Sequence, residues 1–196
     1  MNEKCDTSDV LPKEEKHLKT SFIFLHFITA TSFLVFTTYA VFSEKIKFDL
    51  ILNDNGNEFT DFSSKLKFAI KFEAPVVLML DFAVVYLAFC RAYYPSGNPL
   101  SDREIYTRVA KNMLQNTVEQ YLLHISCQLL LITYLDADLI IKVIPLMCAF
   151  FVVGRIAFFF GYPKHRLFGF VVTSFPHHIA IAFSMYKLFT SIDVIM

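Results

Sequence analysis

The sequence predicts an all-α fold, a polytopic membrane helix bundle whose chain crosses a bilayer five times. Hydrophobic residues make up 55% of the 196 positions and charged residues 18%, whereas soluble domains average about 45–50% and about 25%. The apolar residues are concentrated in five blocks, and a helix of about 22 residues spans about 33 Å, enough for a hydrocarbon core of about 30 Å. Five such helices leave little polar surface for water, which disfavours a soluble bundle. A net charge of zero gives no indication of a nucleic-acid partner.

The first apolar block, residues 21–42, carries no formal charge and follows a tail of mixed charge. It is longer than the apolar region of a signal peptide and lacks a good small-x-small cleavage site, so we expect an uncleaved membrane anchor. The predicted elements are, in order, a cytosolic tail (1–20), an N-terminal transmembrane helix (21–42), a lumenal or extracellular loop (43–65), a four-helix domain (66–190) and a C-terminal tail (191–196).

The four-helix domain contains the other four blocks, which are 66–90, 113–134, 138–160 and 168–190. Only about three residues separate the second and third of these blocks, so their helices are expected to be antiparallel neighbours. Pro145 and Pro176 lie inside spans and predict kinks, which membrane helices tolerate because neighbouring groups satisfy the freed backbone.

The lysine and arginine residues of the polar segments predict the orientation of the chain. One side holds Lys4, Lys13, Lys16, Lys19, Arg91, Arg103, Arg108, Lys111, Lys164 and Arg166, and the other holds Lys45, Lys47, Lys65, Lys67 and Lys187. Cytosolic loops carry the excess of basic residues. The N-terminus is therefore predicted in the cytosol and the C-terminus in a lumen or outside the cell.

A cluster of polar residues is predicted at the cytosolic membrane boundary. Asn112, Asn116 and Glu119 are spaced to share one face of a helix, and Arg155 and Tyr162 share a face of the next helix. Arginine binds carboxylates, glutamate binds ammonium groups and asparagine binds peptide amides, so this chemistry suits a small zwitterionic or anionic ligand. A Glu119–Arg155 ion pair that joins the two helices is the alternative reading, and both remain open.

Asp81 lies in the middle of the second span, and His177 and His178 lie at a comparable depth in the fifth. An ionisable group at that depth is expected to face inward and to be paired or protonated, and the two histidines are candidate partners. A structural hydrogen bond and a proton relay in a small transporter both remain open. His26 and His124 are expected in helix packing, since no His-x-x-x-His or Glu-x-x-His spacing predicts a metal site.

The four cysteines, Cys5, Cys90, Cys127 and Cys148, form no Cys-x-x-Cys or zinc-binding pattern. Those inside apolar runs are expected to behave as small hydrophobic residues. Cys90, beside Arg91 at a membrane edge, is a candidate for palmitoylation.

Two segments carry a family resemblance. The stretch Asn116-Thr117-Val118-Glu119 resembles the N-x-x-E signature of the MAPEG superfamily, the membrane-associated proteins in eicosanoid and glutathione metabolism. The segment Gly154–Tyr162, in which Arg155 and Tyr162 are separated by six residues, resembles the R-x6-Y segment of that superfamily. The resemblance covers about residues 66–190, and the extra N-terminal helix with Phe168-Gly169-Phe170 looks most like the mattrin-type, five-helix branch.

The resemblance implies a homotrimer that holds glutathione between its subunits near the cytosolic face. It implies that Asn116 and Glu119 contact the γ-glutamyl end and that Arg155 and Tyr162 contact or shape the same pocket. Asn112 stands where the enzymes have an arginine four residues before the asparagine. The enzymes also place a catalytic arginine, which stabilises the glutathione thiolate, several residues past the tyrosine. Here Arg166 is the candidate, four residues past Tyr162, and position 169 is glycine.

These departures favour a non-catalytic, trimeric binding or regulatory protein. The topology and the resemblance imply a location in the secretory and endomembrane system, in the endoplasmic reticulum or Golgi. The alternative is a glutathione-dependent membrane transferase or peroxidase that acts on lipophilic electrophiles. The partners implied are the lipid bilayer, two further copies of the chain, and a lipophilic substrate or a membrane-protein partner.

Overall fold

The computed structural model describes residues 13–43, 61–93, 107–163 and 165–193, in which five α-helices form. They are α1 (Lys13–Phe42), α2 (Phe62–Tyr93), α3 (Arg108–Tyr134), α4 (Ala137–Gly161) and α5 (Leu167–Asp193). The predicted all-α membrane bundle is therefore confirmed. α1 begins inside the predicted tail and α2 inside the predicted loop, because helical backbone continues beyond an apolar block. The remainder of the predicted tails and of the loop 43–65 lies outside the described residues.

α1, α2, α4 and α5 are each long and apolar enough to cross a membrane. α3 has the same length as α5, 27 residues, but it is less apolar because polar residues recur along it. Its buried polar side chains, at intervals of three or four residues, are Thr117, Gln120, His124 and Gln128. This stripe faces the other helices and not the lipid. The packing of α3 along α2 and α5 favours a crossing by α3 as well, and the count of five crossings stays a prediction.

The helices of the four-helix domain pack mainly in the order α2, α3, α5 and α4 around a common core. The core includes Val76 of α2, Leu131 of α3, and Ile144 and Phe151 of α4. The predicted neighbours α3 and α4 run antiparallel, since Asn116 meets Arg155 and Gln128 meets Cys148. Their packing is nevertheless less extensive than that of α4 with α5, because α3 and α4 face each other across the bundle through long side chains.

α2 turns a different acidic residue inward from the one the sequence suggested. Its buried positions are Phe68, Ala69, Glu73, Val76, Ala83 and Leu87, a stripe with helical spacing. Asp81 lies off that stripe and is exposed. The prediction of an inward-facing Asp81 is therefore wrong for this chain, because the rotation of α2 about its axis points Glu73 at the core.

α1 packs on the outside of the domain. Ala30, Leu34 and Val41 lie against Leu146 and Phe150 of α4 and against Val171 and Val172 of α5. Near its start the rings of Phe22 and His26 contact the ring of His165, in the link between α4 and α5. The outer faces of α1 and α2 expose large apolar side chains such as Phe36, Phe82 and Phe89. Such surfaces suit a lipid environment.

Candidate functional site

A cavity of about 730 Å³ lies at the end of the bundle where α3 and α5 begin. Its lining comes from α1, α3, α4 and the start of α5: Ile23, Asn112, Gln115, Asn116, Glu119, Phe158, Tyr162, Pro163, Arg166, Leu167 and Phe170. We call it the polar cavity. The structure thus brings Asn112, Asn116, Glu119, Tyr162 and Arg166 together, as the helical spacings predicted. Their binding of a ligand stays a prediction.

Arg155 lies behind the wall of the polar cavity and is fully buried. Its Nη1 donates to Asn116 Oδ1 at 2.7 Å, and its Nε donates to Thr173 Oγ1 at 3.3 Å. The guanidinium carbon lies 4.6 Å from the centroid of the Phe158 ring, a favourable cation–π distance. Arg155 therefore holds the Asn116 side chain in place and does not itself line the cavity.

The Glu119–Arg155 ion pair that the sequence allowed is not formed. Within the described part of the chain, no carboxylate lies within ion-pair distance of Arg155. Glu119 is exposed and accepts a hydrogen bond from Gln115 Nε2 at 3.1 Å. An α-helix rotates by about 100° per residue, so the side chains of Asn116 and Glu119, three residues apart, point about 60° away from each other. Asn116 faces both Arg155 and the cavity, whereas this rotation turns Glu119 away from Arg155.

α4 and α5 cross closely beside Arg155, at Gly154 and Gly169. A Cβ atom on Gly154 would lie 2.9 Å from the carbonyl oxygen of Gly169, and a Cβ atom on Gly169 would lie 2.5 Å from that of Gly154. Thr173 Oγ1 donates to Gly169 O at 2.8 Å at the same crossing. Position 169 is therefore closed to any larger side chain, which gives a packing reason for the glycine at this position.

The cavity wall carries charges of both signs. Arg166 and Glu119 are both exposed side chains of the lining, and the Arg166 guanidinium lies 5.7 Å from the Tyr162 ring centroid. The remaining polar lining consists of three amides and the Tyr162 phenol, all of which donate and accept hydrogen bonds. An arrangement of one cation, one anion and several amides can bind the two termini and the backbone of a short peptide.

A second polar cluster lies deeper in the bundle, and sequence reasoning missed it. Glu73 Oε1 lies 3.2 Å from His124 Nε2, Gln128 Nε2 lies 3.0 Å from Cys148 Sγ, and all four residues are buried. His124 Nδ1 lies 2.9 Å from His177 Nε2. The helical spacing could have indicated this cluster, because Glu73 falls on the buried stripe of α2, between Ala69 and Val76, and His124 falls on the polar stripe of α3.

The two adjacent histidines of α5 have separate surroundings. His177 is buried against His124, whereas His178 is exposed and its Nδ1 lies 2.7 Å from the carbonyl oxygen of Ser174 in its own helix. Neither joins Asp81, which is exposed on α2. The geometric basis for a transporter relay through Asp81 and this pair is therefore not present in the single chain.

The chain was also compared with known proteins. Comparisons with protein-family models, with curated proteins and with solved structures found no match. The MAPEG resemblance accordingly stays a prediction based on the two motifs. What the structure shows is an integral membrane helix bundle with a polar cavity at one end and a buried polar cluster in its interior.

Proposed function

We propose that the protein is a MAPEG-like, trimeric, endomembrane protein that binds glutathione or a similar short acidic peptide in the polar cavity, without catalysing its reaction. One observation carries this proposal: Glu119, Arg166, Asn112 and Asn116 line a single cavity of about 730 Å³. Small-molecule sites commonly have volumes of about 300–1,000 Å³. Glutathione fits both this size and the mixture of charges.

The charges on the wall match the charges on glutathione. Its γ-glutamyl end has an ammonium group and a carboxylate, and its glycyl end has a second carboxylate. Glu119 can accept from the ammonium group, and Arg166 can bind a carboxylate with two parallel hydrogen bonds. The side chain of Asn116, held by Arg155, offers a preorganised group to a peptide amide, and preorganisation reduces the entropy that binding costs.

The trimer in this proposal comes from the family resemblance. The exposed apolar surface of α2, which includes Val77, Leu78 and Val85, suits contact with either lipid or another copy of the chain. A detergent-corrected mass from light scattering tests the assembly, and a monomeric mass would contradict this part of the proposal.

The non-catalytic character follows from the positions of the arginines. Activation of a thiol requires a fixed positive charge near the sulfur. At position 169 the close α4–α5 crossing leaves no room for an arginine side chain. Arg155 donates hydrogen bonds to Asn116 and Thr173 and does not line the cavity. Arg166 is exposed, and solvent weakens the effect of an exposed charge.

Glutathione binding tests the proposal most directly. The Glu119→Gln protein is expected to bind glutathione at least about 10-fold more weakly than the wild type, because a charge-assisted hydrogen bond contributes about 1.5–3 kcal/mol. Titration calorimetry of the detergent-purified full chain measures the two dissociation constants.

Asp138→Asn is the matched control, since it removes the same charge from an exposed residue at the opposite end of α4. This variant is expected to bind glutathione like the wild type. Absence of binding to the wild type at millimolar glutathione, or equal losses in the two variants, would refute a site at Glu119.

A second candidate function rests on Arg166, which lines the same cavity beside Tyr162. In a glutathione transferase this residue would stabilise the thiolate while Ile23, Phe158 and Phe170 contact a lipophilic electrophile. With chlorodinitrobenzene as the probe, the thiolate sulfur would bond to the ring carbon and chloride would leave. We expect no conjugation above the uncatalysed rate. An enzymatic rate lost in Arg166→Gln and retained in Arg166→Lys would establish the transferase instead.

A further inference from the structure

Three potential metal ligands from three different helices meet in the interior of the bundle. Glu73 comes from α2, His124 from α3 and Cys148 from α4, and their ligand atoms all lie within 4.8 Å of one another. The Glu73 Oε1–His124 Nε2 distance is 3.2 Å, and the Cys148 Sγ–His124 Nε2 distance is 3.8 Å. Metal bonds of about 2.0–2.3 Å in a tetrahedron separate neighbouring donor atoms by about 3.3–3.7 Å. These two separations are close to those edges, and the third pair, Glu73 and Cys148, lies within 4.8 Å.

Glu73 points its carboxylate into this cluster, where His124 Nε2 lies 3.2 Å from Oε1 and can form an ion pair only if the ring is protonated. The residue is 8% exposed, and neither Oε1 nor Oε2 makes a hydrogen bond within the described part of the chain. A carboxylate buried without hydrogen bonds costs several kcal/mol (roughly 2–7 for even a neutral polar group). Coordination to a cation would satisfy both the charge and the lone pairs.

We propose that Glu73, His124 and Cys148 bind a divalent transition-metal ion of the Zn²⁺ type. Thiolate, imidazole and carboxylate are the three ligand types that Zn²⁺ takes in proteins. Mg²⁺ and Ca²⁺ are not suited, since they require oxygen ligands throughout. The sequence alone indicated no metal, because the three ligands are far apart in the chain and share no helix.

Charge balance also favours a divalent ion. The Glu73 carboxylate and the Cys148 thiolate together carry two negative charges, so a divalent cation gives a neutral cluster. Binding breaks the S–H bond of Cys148, forms a metal–sulfur bond and releases the proton to water. A neutral cluster avoids the cost of a net charge inside a membrane bundle.

The surrounding residues can complete the site. His124 Nδ1 contacts His177 Nε2 at 2.9 Å, and a partner on the second ring nitrogen orients a metal-bound imidazole. The Gln128 amide lies 2.8 Å from His124 Nε2 and 3.0 Å from Cys148 Sγ. Since the amide oxygen and nitrogen interchange by a flip of the side chain, Gln128 can supply an oxygen as the fourth ligand.

The proposed metal site is separate from the polar cavity. His124 lies eight residues along α3 from Asn116, which corresponds to about 12 Å. The metal proposal therefore does not depend on glutathione binding. Because its ligands join α2, α3 and α4, the ion would act first as a clamp between these helices.

Cobalt substitution tests the site in the full chain. The detergent-purified protein is stripped with a chelator and titrated with Co²⁺, and binding is followed by thiolate-to-cobalt charge-transfer absorption. We expect this band to saturate at about one ion per chain, as a single mononuclear site requires. Cys148→Ser is expected to abolish the band.

Cys127→Ser is the matched control. Cys127 is also a buried cysteine, on α3, and its Sγ lies 3.6 Å from the carbonyl oxygen of His177. It is not one of the proposed ligands. This variant and Cys90→Ser are expected to keep the band. Absence of the charge-transfer band from the wild type, or persistence of the band in Cys148→Ser, would overturn the proposal.

X-ray absorption of the zinc-loaded wild type decides the question should Cys148→Ser fail to fold. We expect one sulfur at about 2.3 Å and nitrogen or oxygen ligands at about 2.0–2.2 Å. A coordination shell without sulfur, or with more than one sulfur, would overturn the assignment of these three ligands.

Discussion

The Gly169→Ala protein is expected to lose about 1–3 kcal/mol of unfolding free energy, the usual cost of inserting a group into a packed interface. The added Cβ would meet the backbone of Phe158 and lie 2.5 Å from Gly154 O. Backbone atoms cannot move aside as a flexible side chain can, so α4 and α5 would have to separate. Reversible unfolding in mixed detergent micelles measures the change.

Gly161→Ala is the control, because it adds the same methyl group to a glycine at the end of α4, away from the α4–α5 crossing. Its Cβ would lie 3.4 Å from Arg166 N and His165 Cβ, an ordinary contact distance. We expect unchanged or slightly increased stability, since alanine favours helix by about 1 kcal/mol over glycine. Equal effects of the two substitutions would show that the α4–α5 crossing is not as close as described.

The Arg155→Lys protein is expected to lose about 1–3 kcal/mol of unfolding free energy although the positive charge is kept. The guanidinium donates to both Asn116 Oδ1 and Thr173 Oγ1, and a lysine ammonium lacks that planar fork. At least one buried acceptor would lose its donor, which costs about 1–3 kcal/mol. The matched control is Arg91→Lys at the exposed end of α2, for which we expect no measurable loss.

A double-mutant cycle identifies Asn116 as the partner through which Arg155 acts. Arg155→Lys combined with Asn116→Ala is expected to cost less than the sum of the single variants, because both remove the same hydrogen bond. In the glutathione titration, each single variant is expected to weaken binding. Additive effects on stability would contradict the Arg155–Asn116 contact at 2.7 Å.

The polar cavity shows how much of a site helical periodicity can predict. Asn112, Asn116 and Glu119 recur at a helical spacing, so their common end of α3 was predictable. The short link between α4 and α5 placed Tyr162 and Arg166 at the same level. Which of the α3 residues meets Arg155 was not predictable, because it depends on how α3 and α4 are rotated relative to each other.

Asp81 and Glu73 show the same limit on α2. Both are acidic residues within one apolar block, and Asp81 lies nearer the middle of it. Depth along the helix suggested Asp81 as the buried acid. Burial instead follows the helix face, and the face with Ala69, Val76 and Ala83 packs inward with Glu73.

The all-α class and the membrane environment were determined by the sequence alone, because length and apolar composition are local properties of each segment. The gathering of polar residues at one end was also determined locally, by helical spacing and short links. Only the tertiary structure decided the partner of Arg155, the outward position of Asp81 and the meeting of Glu73, His124 and Cys148. Each of these depends on side-chain packing between helices that are distant in the chain, and packing sets both the neighbours of a helix and its rotation.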